Sequence, residues 1–139
     1  MNADECIFFQ LAKASQAGVK FWTQKVSTFG VTAVQAMVLR FLYESDLVSS
    51  KELGEKTQLD SATLTGILDR LEAALLIDRR PNPSDRRAIR IQLTKKGTSV
   101  AEQISAVMEE ANSEFLGDLS DEDQDMLKEL LNRIRTKRL

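Results

Sequence analysis

Leu59-Asp60-Ser61-Ala62-Thr63-Leu64-Thr65-Gly66-Ile67-Leu68-Asp69-Arg70-Leu71, and shortly after it Arg79-Arg80-Pro81-Asn82-Pro83-Ser84-Asp85-Arg86-Arg87-Ala88-Ile89-Arg90-Ile91-Gln92-Leu93, decide how this chain folds. In the first stretch Leu64, Ile67, Leu68 and Leu71 recur at spacings of three and four, which puts them on one face of a helix. Asp60 stands where an N-cap belongs, and the spacing predicts a helix over residues 61–74. The period then changes. Residues 77–80 read as extended, residues 81–85 are dense in turn formers, and Ile89, Ile91 and Leu93 alternate with Arg90 and Gln92. That pattern is a β-hairpin with an exposed basic tip.

Working upstream, Ser49-x-x-Glu52 is a capping box for a short helix to about Lys56, and Thr57-Gln58-Leu59 joins it to the helix after Asp60. Residues 44–48 read as a polar turn. Two helices joined by a tight turn, then a basic hairpin, describe a winged helix-turn-helix. The region runs over residues 32–94 and opens at a second capping box, Thr32-x-x-Gln35, whose helix is expected to bury Val34, Met37, Val38, Phe41 and Leu42.

Outside this region the chain is helical. Residues 3–25 carry one stripe of Ile7, Leu11, Ala14, Gly18, Phe21 and Trp22. Thr94 caps a long helix to about Phe115, striped by Val100, Ile104, Val107, Met108, Ala111 and Phe115. Ser120-x-x-Asp123 opens the last, lined by Leu127, Leu130, Leu131 and Ile134. These helices have more apolar surface than a small winged domain covers, so a two-fold mate is expected. The expected architecture is mainly α (α+β). One chain, residues 1–139, holds a winged helix-turn-helix between long N- and C-terminal dimerisation helices at 1–26 and 95–139.

Net charge is −2, which by itself argues against a nucleic-acid partner. Its distribution reverses that. Residues 51–100 are net +3 and residues 101–139 net −5; from Arg79 to Lys96 seven cations stand against one acid, Asp85. A local basic stripe on an acidic body is the electrostatic footprint of a DNA reader. The polar face of the helix at 61–74 suits a major groove. Ser61, Thr63 and Thr65 offer hydroxyls, Ala62 a methyl for thymine, Gly66 close backbone approach and Arg70 a phosphate partner. Thr63 equally suits a capping role. Arg86 and Arg87, at a turn stiffened by Pro81 and Pro83, suit a narrow minor groove, with Asp85 aiming a guanidinium. A winged helix that binds protein and not DNA is the alternative; the Ser61/Thr65 face and the two arginines argue against it.

No enzyme is expected. The chain has no histidine, no Gly-rich phosphate loop and no cluster of metal ligands, so neither cofactor nor metal is expected. A single cysteine, Cys6, excludes an intrachain disulfide. With no secretory signal or bilayer-spanning run read, the expected compartment is the reducing cytoplasm.

Four runs carry a specific resemblance: Leu59-Asp60-Ser61-Ala62-Thr63-Leu64-Thr65, Leu68-Asp69-Arg70-Leu71-Glu72, Arg80-Pro81-Asn82-Pro83-Ser84-Asp85-Arg86-Arg87 and Leu93-Thr94-Lys95-Lys96-Gly97. In order and spacing they resemble the MarR family of bacterial regulators. The resemblance implies a triangular homodimer joined through its first and last two helices. It also implies a pseudo-palindromic double-stranded operator, with Asp85 and Arg87 matching the family's wing-tip pair, and a repressor released by a ligand or by oxidation. One position departs: Leu75 stands where the family has glycine, which puts the wing's angle in question.

Two switches are compatible with the sequence. Cys6 resembles the oxidised cysteine of the family's peroxide-sensing branch, although Gln10 and Lys20 occupy the places of that branch's tyrosines. Phe21, Trp22, Met37 and Phe41 are candidate walls of a pocket for a small aromatic or phenolic effector.

Overall fold

Side-chain caps set the starts of five helices. Thr32, Ser49, Asp60, Thr94 and Ser120 each accept the backbone amide three residues on, satisfying donors that a helix cannot pair internally. They open α2 (Ala33–Glu44), α3 (Ser50–Thr57), α4 (Ser61–Ala73), α5 (Lys95–Phe115) and α6 (Asp121–Arg135). α1 (Ile7–Val26) precedes them. Extended backbone at Cys6 separates it from a 3-10 turn at Ala3–Glu5, so the helix expected from residue 3 is interrupted. The computed structural model describes residues 1–45 and 47–137, and of Arg86 and Arg87 the backbone alone.

β1 (Val48–Ser49), β2 (Ile77–Asn82) and β3 (Asp85–Leu93) form an antiparallel sheet in the order β1-β3-β2. β1 corrects the expected polar turn. Val48 and Ser49 pair with Ile91 and Arg90, more than forty residues away. Such a strand has no local pattern to announce it. Ile77 and Ile91 enter the core beside Leu39, Leu53, Leu68, Leu71 and Ile104.

α2 buries Val38 and Leu42 as expected, but the face it turns to the core is shifted toward Ala36 and Leu39. Ala36, Val38, Leu39 and Leu42 are buried, while Val34 and Met37 are exposed and Phe41 is half-buried. The helix carries two adjoining apolar stripes, and only one meets the core. Among the described residues α6 buries none; Leu130, Leu131 and Ile134 each remain 43% exposed. α1 buries only Val26. A single chain therefore leaves its terminal helices largely uncovered.

The junction after α4 settles the question raised by Leu75. Leu76 N–H donates to Leu71 C=O at 3.0 Å and Leu75 N–H to Glu72 C=O at 2.9 Å, the two bonds of a Schellman helix end. That ending needs a left-handed residue, and Leu75 supplies it at φ 61°. Its side chain is 69% exposed, whereas Leu76 is buried in the same core as Leu71. The chain thus turns as a glycine would let it, under strain. The start of α5 braces the turn. Thr94 Oγ1 donates to Leu75 C=O at 2.7 Å, and Lys96 Nζ to Ala74 C=O at 3.3 Å. A Cβ on Gly97 would lie 1.9 Å from the Leu76 carbonyl oxygen, so only glycine permits this seat.

Candidate nucleic-acid interface

α4 is held at its first turn by Asp60. Its Oδ1 accepts Thr63 N–H at 2.8 Å and its Oδ2 accepts the Thr63 hydroxyl at 2.7 Å. The Thr63 amide, then its hydroxyl, hold the Asp60 carboxyl below the usual carboxylate range. Thr63 is exposed, but its hydroxyl donor is spent on the cap.

Leu64, Ile67, Leu68 and Leu71 bury one face of α4. The opposite face presents two rows at four-residue spacing: Ser61, Thr65 and Asp69, and beside it Ala62, Gly66 and Arg70. All are exposed except Gly66, which is half-buried. The Thr65 hydroxyl donates to Ser61 C=O at 2.8 Å, which leaves its oxygen as an acceptor. In a major groove such an acceptor meets the amino donors of adenine or cytosine. A Cβ on Gly66 would meet nothing within 4 Å, so the surface there is open.

The helix expected after Ser49 contributes site residues that its sequence did not single out, Ser50 and Lys51. A groove of about 450 Å³ runs between α3 and α4, and Ser50 and Lys51 face Ser61 and Thr65 across it. The Ser49 cap was the available signal, since it starts α3 at Ser50.

The wing is built from β2 and β3 around Pro83-Ser84. Asn82 Oδ1 accepts Ser84 N–H at 3.0 Å, the side-chain closure of a tight turn. The pairing steps from Pro81↔Ile89 to Asn82↔Asp85. Residues 86–88 of β3 therefore have no opposite number on β2. Arg86 and Arg87 fall within this bulge. Asp85 is exposed at its edge. The expected pairing of Asp85 with either arginine lies outside the described residues.

Among the described residues, two cations of this segment are bonded to α4 or its C-terminal end. Arg79 Nη2 donates to Asp69 Oδ1 at 2.6 Å and to Glu72 Oε1 at 3.1 Å, and its Nε donates to Glu72 Oε2 at 3.2 Å. The Arg79 guanidinium holds Glu72 below the usual carboxylate range, and Glu72, then Asp69, raise Arg79. Lys96 is turned onto the end of α4, as described. Arg80 lies 3.9 Å from Asp78 in a loose surface pair and is 66% exposed.

The other expected sites are also placed. Phe21, Trp22 and Met37 line a cleft of about 380 Å³ with Met108, Asn112 and Phe115. Phe41 lines an adjoining cleft of about 270 Å³ that shares Trp22 and Met37. The four are thus split between two neighbouring hollows. Cys6 is half-buried ahead of α1. Among the described residues no group of His, Cys, Asp and Glu is arranged to hold a metal, and no single helix is long and apolar enough to cross a membrane.

A family model described as the MarR family matches residues 31–89. The HTH-type transcriptional regulator YdgJ of Bacillus subtilis is 31% identical over 93% of this chain and 77% of its own length. A mutant of Escherichia coli MarR crystallised with operator DNA superposes with a TM-score of 0.84 at 25% identity, covering 90% of each chain. BpsR of Bordetella bronchiseptica, whose DNA binding is regulated by 6-hydroxynicotinic acid, superposes at 0.93 with 25% identity over 99% of each chain. The relatives are named as regulators and not as enzymes. An exposed polar face on α4, a bulged wing beside it and these likenesses converge: the chain belongs to the MarR family of winged helix-turn-helix, DNA-binding transcriptional regulators.

Proposed function

We propose that this regulator works as a homodimer, most simply as a repressor. Each subunit lays α4 into a major groove and its wing against the flanking minor groove of a pseudo-palindromic operator. The observation that carries the reading is the exposed double row on α4, Ser61/Thr65 and Ala62/Arg70, beside a bulge that bears Arg86 and Arg87. An interface for a protein partner would favour bulky aromatic groups on the face that Ser61, Ala62 and Thr65 occupy. The uncovered apolar faces of α1 and α6 support pairing of two chains. Two α4 helices so paired require half-sites about 10 bp apart.

The test uses a duplex selected by the protein itself from a random library. In gel-shift titration Arg87→Ala should weaken binding by about 1–3 kcal/mol with the dimer intact. Unchanged affinity would reject the wing as a DNA contact.

Release by a small aromatic effector has its support in the cleft at Phe21, Trp22 and Met37, whose size suits such a ligand. The regulator of BpsR, 6-hydroxynicotinic acid, is a sensible first candidate. Trp22 is the chain's only tryptophan, so its fluorescence reports occupancy. Release by oxidation at Cys6 is the second mode. Peroxide should then release DNA from the parent and not from Cys6→Ser, and equal release from both would end that reading.

A further inference from the structure

Arg79 lies on the first strand of the wing, yet its guanidinium is spent on two carboxylates of α4. Three hydrogen bonds of 2.6–3.2 Å fix it, and two of them grip Glu72 through Nε and Nη2. A planar fork held on both sides sets direction as well as distance. It spans ten residues, from the groove-facing row at Asp69 to the strand that carries the wing. Other links between these elements are the strained turn at Leu75 and the bonds from Thr94 and Lys96, all at the base of the hairpin. By its charge, Arg79 counts as one more phosphate partner in a basic segment. Its geometry argues against that: Nε and Nη2 are already engaged with acids of the same chain, and the side chain is only 23% exposed.

We propose that Arg79 is a positioning residue for DNA binding: its fork onto Asp69 and Glu72 fixes the wing relative to α4, and it makes no phosphate contact. The proposal rests on DNA binding through α4 and the wing. With the fork intact, α4 and the wing meet adjacent grooves together. Without it, the wing's approach varies, and binding loses the wing's contribution while the helix still docks. Lysine cannot replace the fork, because a single ammonium cannot grip both oxygens of Glu72 in one plane.

The test compares the full chain with Arg79→Gln, Arg79→Lys and Arg87→Ala on the selected duplex, by anisotropy from 50 to 200 mM salt. The expected pattern has both Arg79 variants weaker by at least fivefold at 50 mM salt, each with its salt slope reduced to the extent seen in Arg87→Ala, because an unfixed wing forfeits its phosphate contacts. Arg87→Ala should lose about one unit of slope per subunit, as a direct contact does. Chemical footprinting should show Arg79→Lys losing minor-groove protection at the flanks and keeping major-groove protection at the centre. A folded Arg79→Lys that binds as the parent does would overturn the proposal, because charge alone would then suffice. So would an Arg79→Lys that keeps the parent's slope while Arg79→Gln loses about one unit per subunit, the pattern of a direct phosphate contact. If Arg79→Gln does not fold, Arg79→Lys decides alone. Unchanged binding by Arg87→Ala would bring down the wing reading itself, a result separable from failure of the fork.

Discussion

At Leu75 a single side chain bears the cost of the helix-to-wing turn. A left-handed residue with a side chain costs about 1–2 kcal/mol, and Leu75, 69% exposed, recovers little by burial. Leu75→Gly should therefore raise stability by about 0.5–1 kcal/mol once the extra freedom glycine has when unfolded is subtracted. Urea denaturation checks this, and a loss of stability would show that the leucine makes a contact the geometry does not display. Gly97 is the opposite case. Gly97→Ala would drive a methyl to 1.9 Å from the Leu76 carbonyl oxygen, and should cost about 1–3 kcal/mol as α5 backs away. Gly66 separates the two roles a glycine can have. Gly66→Ala meets nothing within the protein, so it should stabilise α4 by about 0.5–1 kcal/mol. If DNA approaches the backbone there, the same change weakens binding. A variant that is more stable yet binds less tightly is the expected outcome of melting and gel-shift measurements together.

Among the elements, the helix starts were legible because capping is local chemistry: Thr32, Asp60, Thr94 and Ser120 each bond an amide three residues on. The wing's alternation at Ile89, Ile91 and Leu93 was legible for the same reason. What the sequence hid was non-local. β1 exists because Val48 finds Ile91. Met37 looked like core because α2 is apolar around more than half its girth, and only the fold decides which stripe is covered. Arg79 counted only as one more cation of the basic stripe, because its acids, Asp69 and Glu72, lie on another element. The caps and the fork also set a pH dependence. Asp60 and Glu72 both titrate below the usual range when folded. Their stabilisation is present above the ordinary carboxylate values and is lost as pH falls through the folded ones. The melting temperature should thus hold from pH 7 down to about pH 5 and decline below about pH 4. Asp60→Asn keeps a capping acceptor that does not titrate, so it should decline less steeply. A parent curve flat to pH 3 would contradict the assignment.

For the whole molecule, the terminal helices make sense only with something covering them. Met126, Leu130, Leu131 and Ile134 leave α6 apolar and uncovered, and Ile7, Phe8 and Phe9 do the same at the other end of the chain. In sedimentation the chain should run as a dimer, and Leu130→Lys with Ile134→Lys should shift it toward monomer and weaken operator binding, because two half-sites are then no longer held together. The central claim, that this acidic chain reads duplex DNA through a local basic surface, is tested most directly by titrating the selected duplex with the parent protein over 50–200 mM salt. The account predicts two subunits per duplex and log affinity falling linearly and steeply with log salt. Affinity indifferent to salt, or failure to enrich any duplex from the random library, would contradict it.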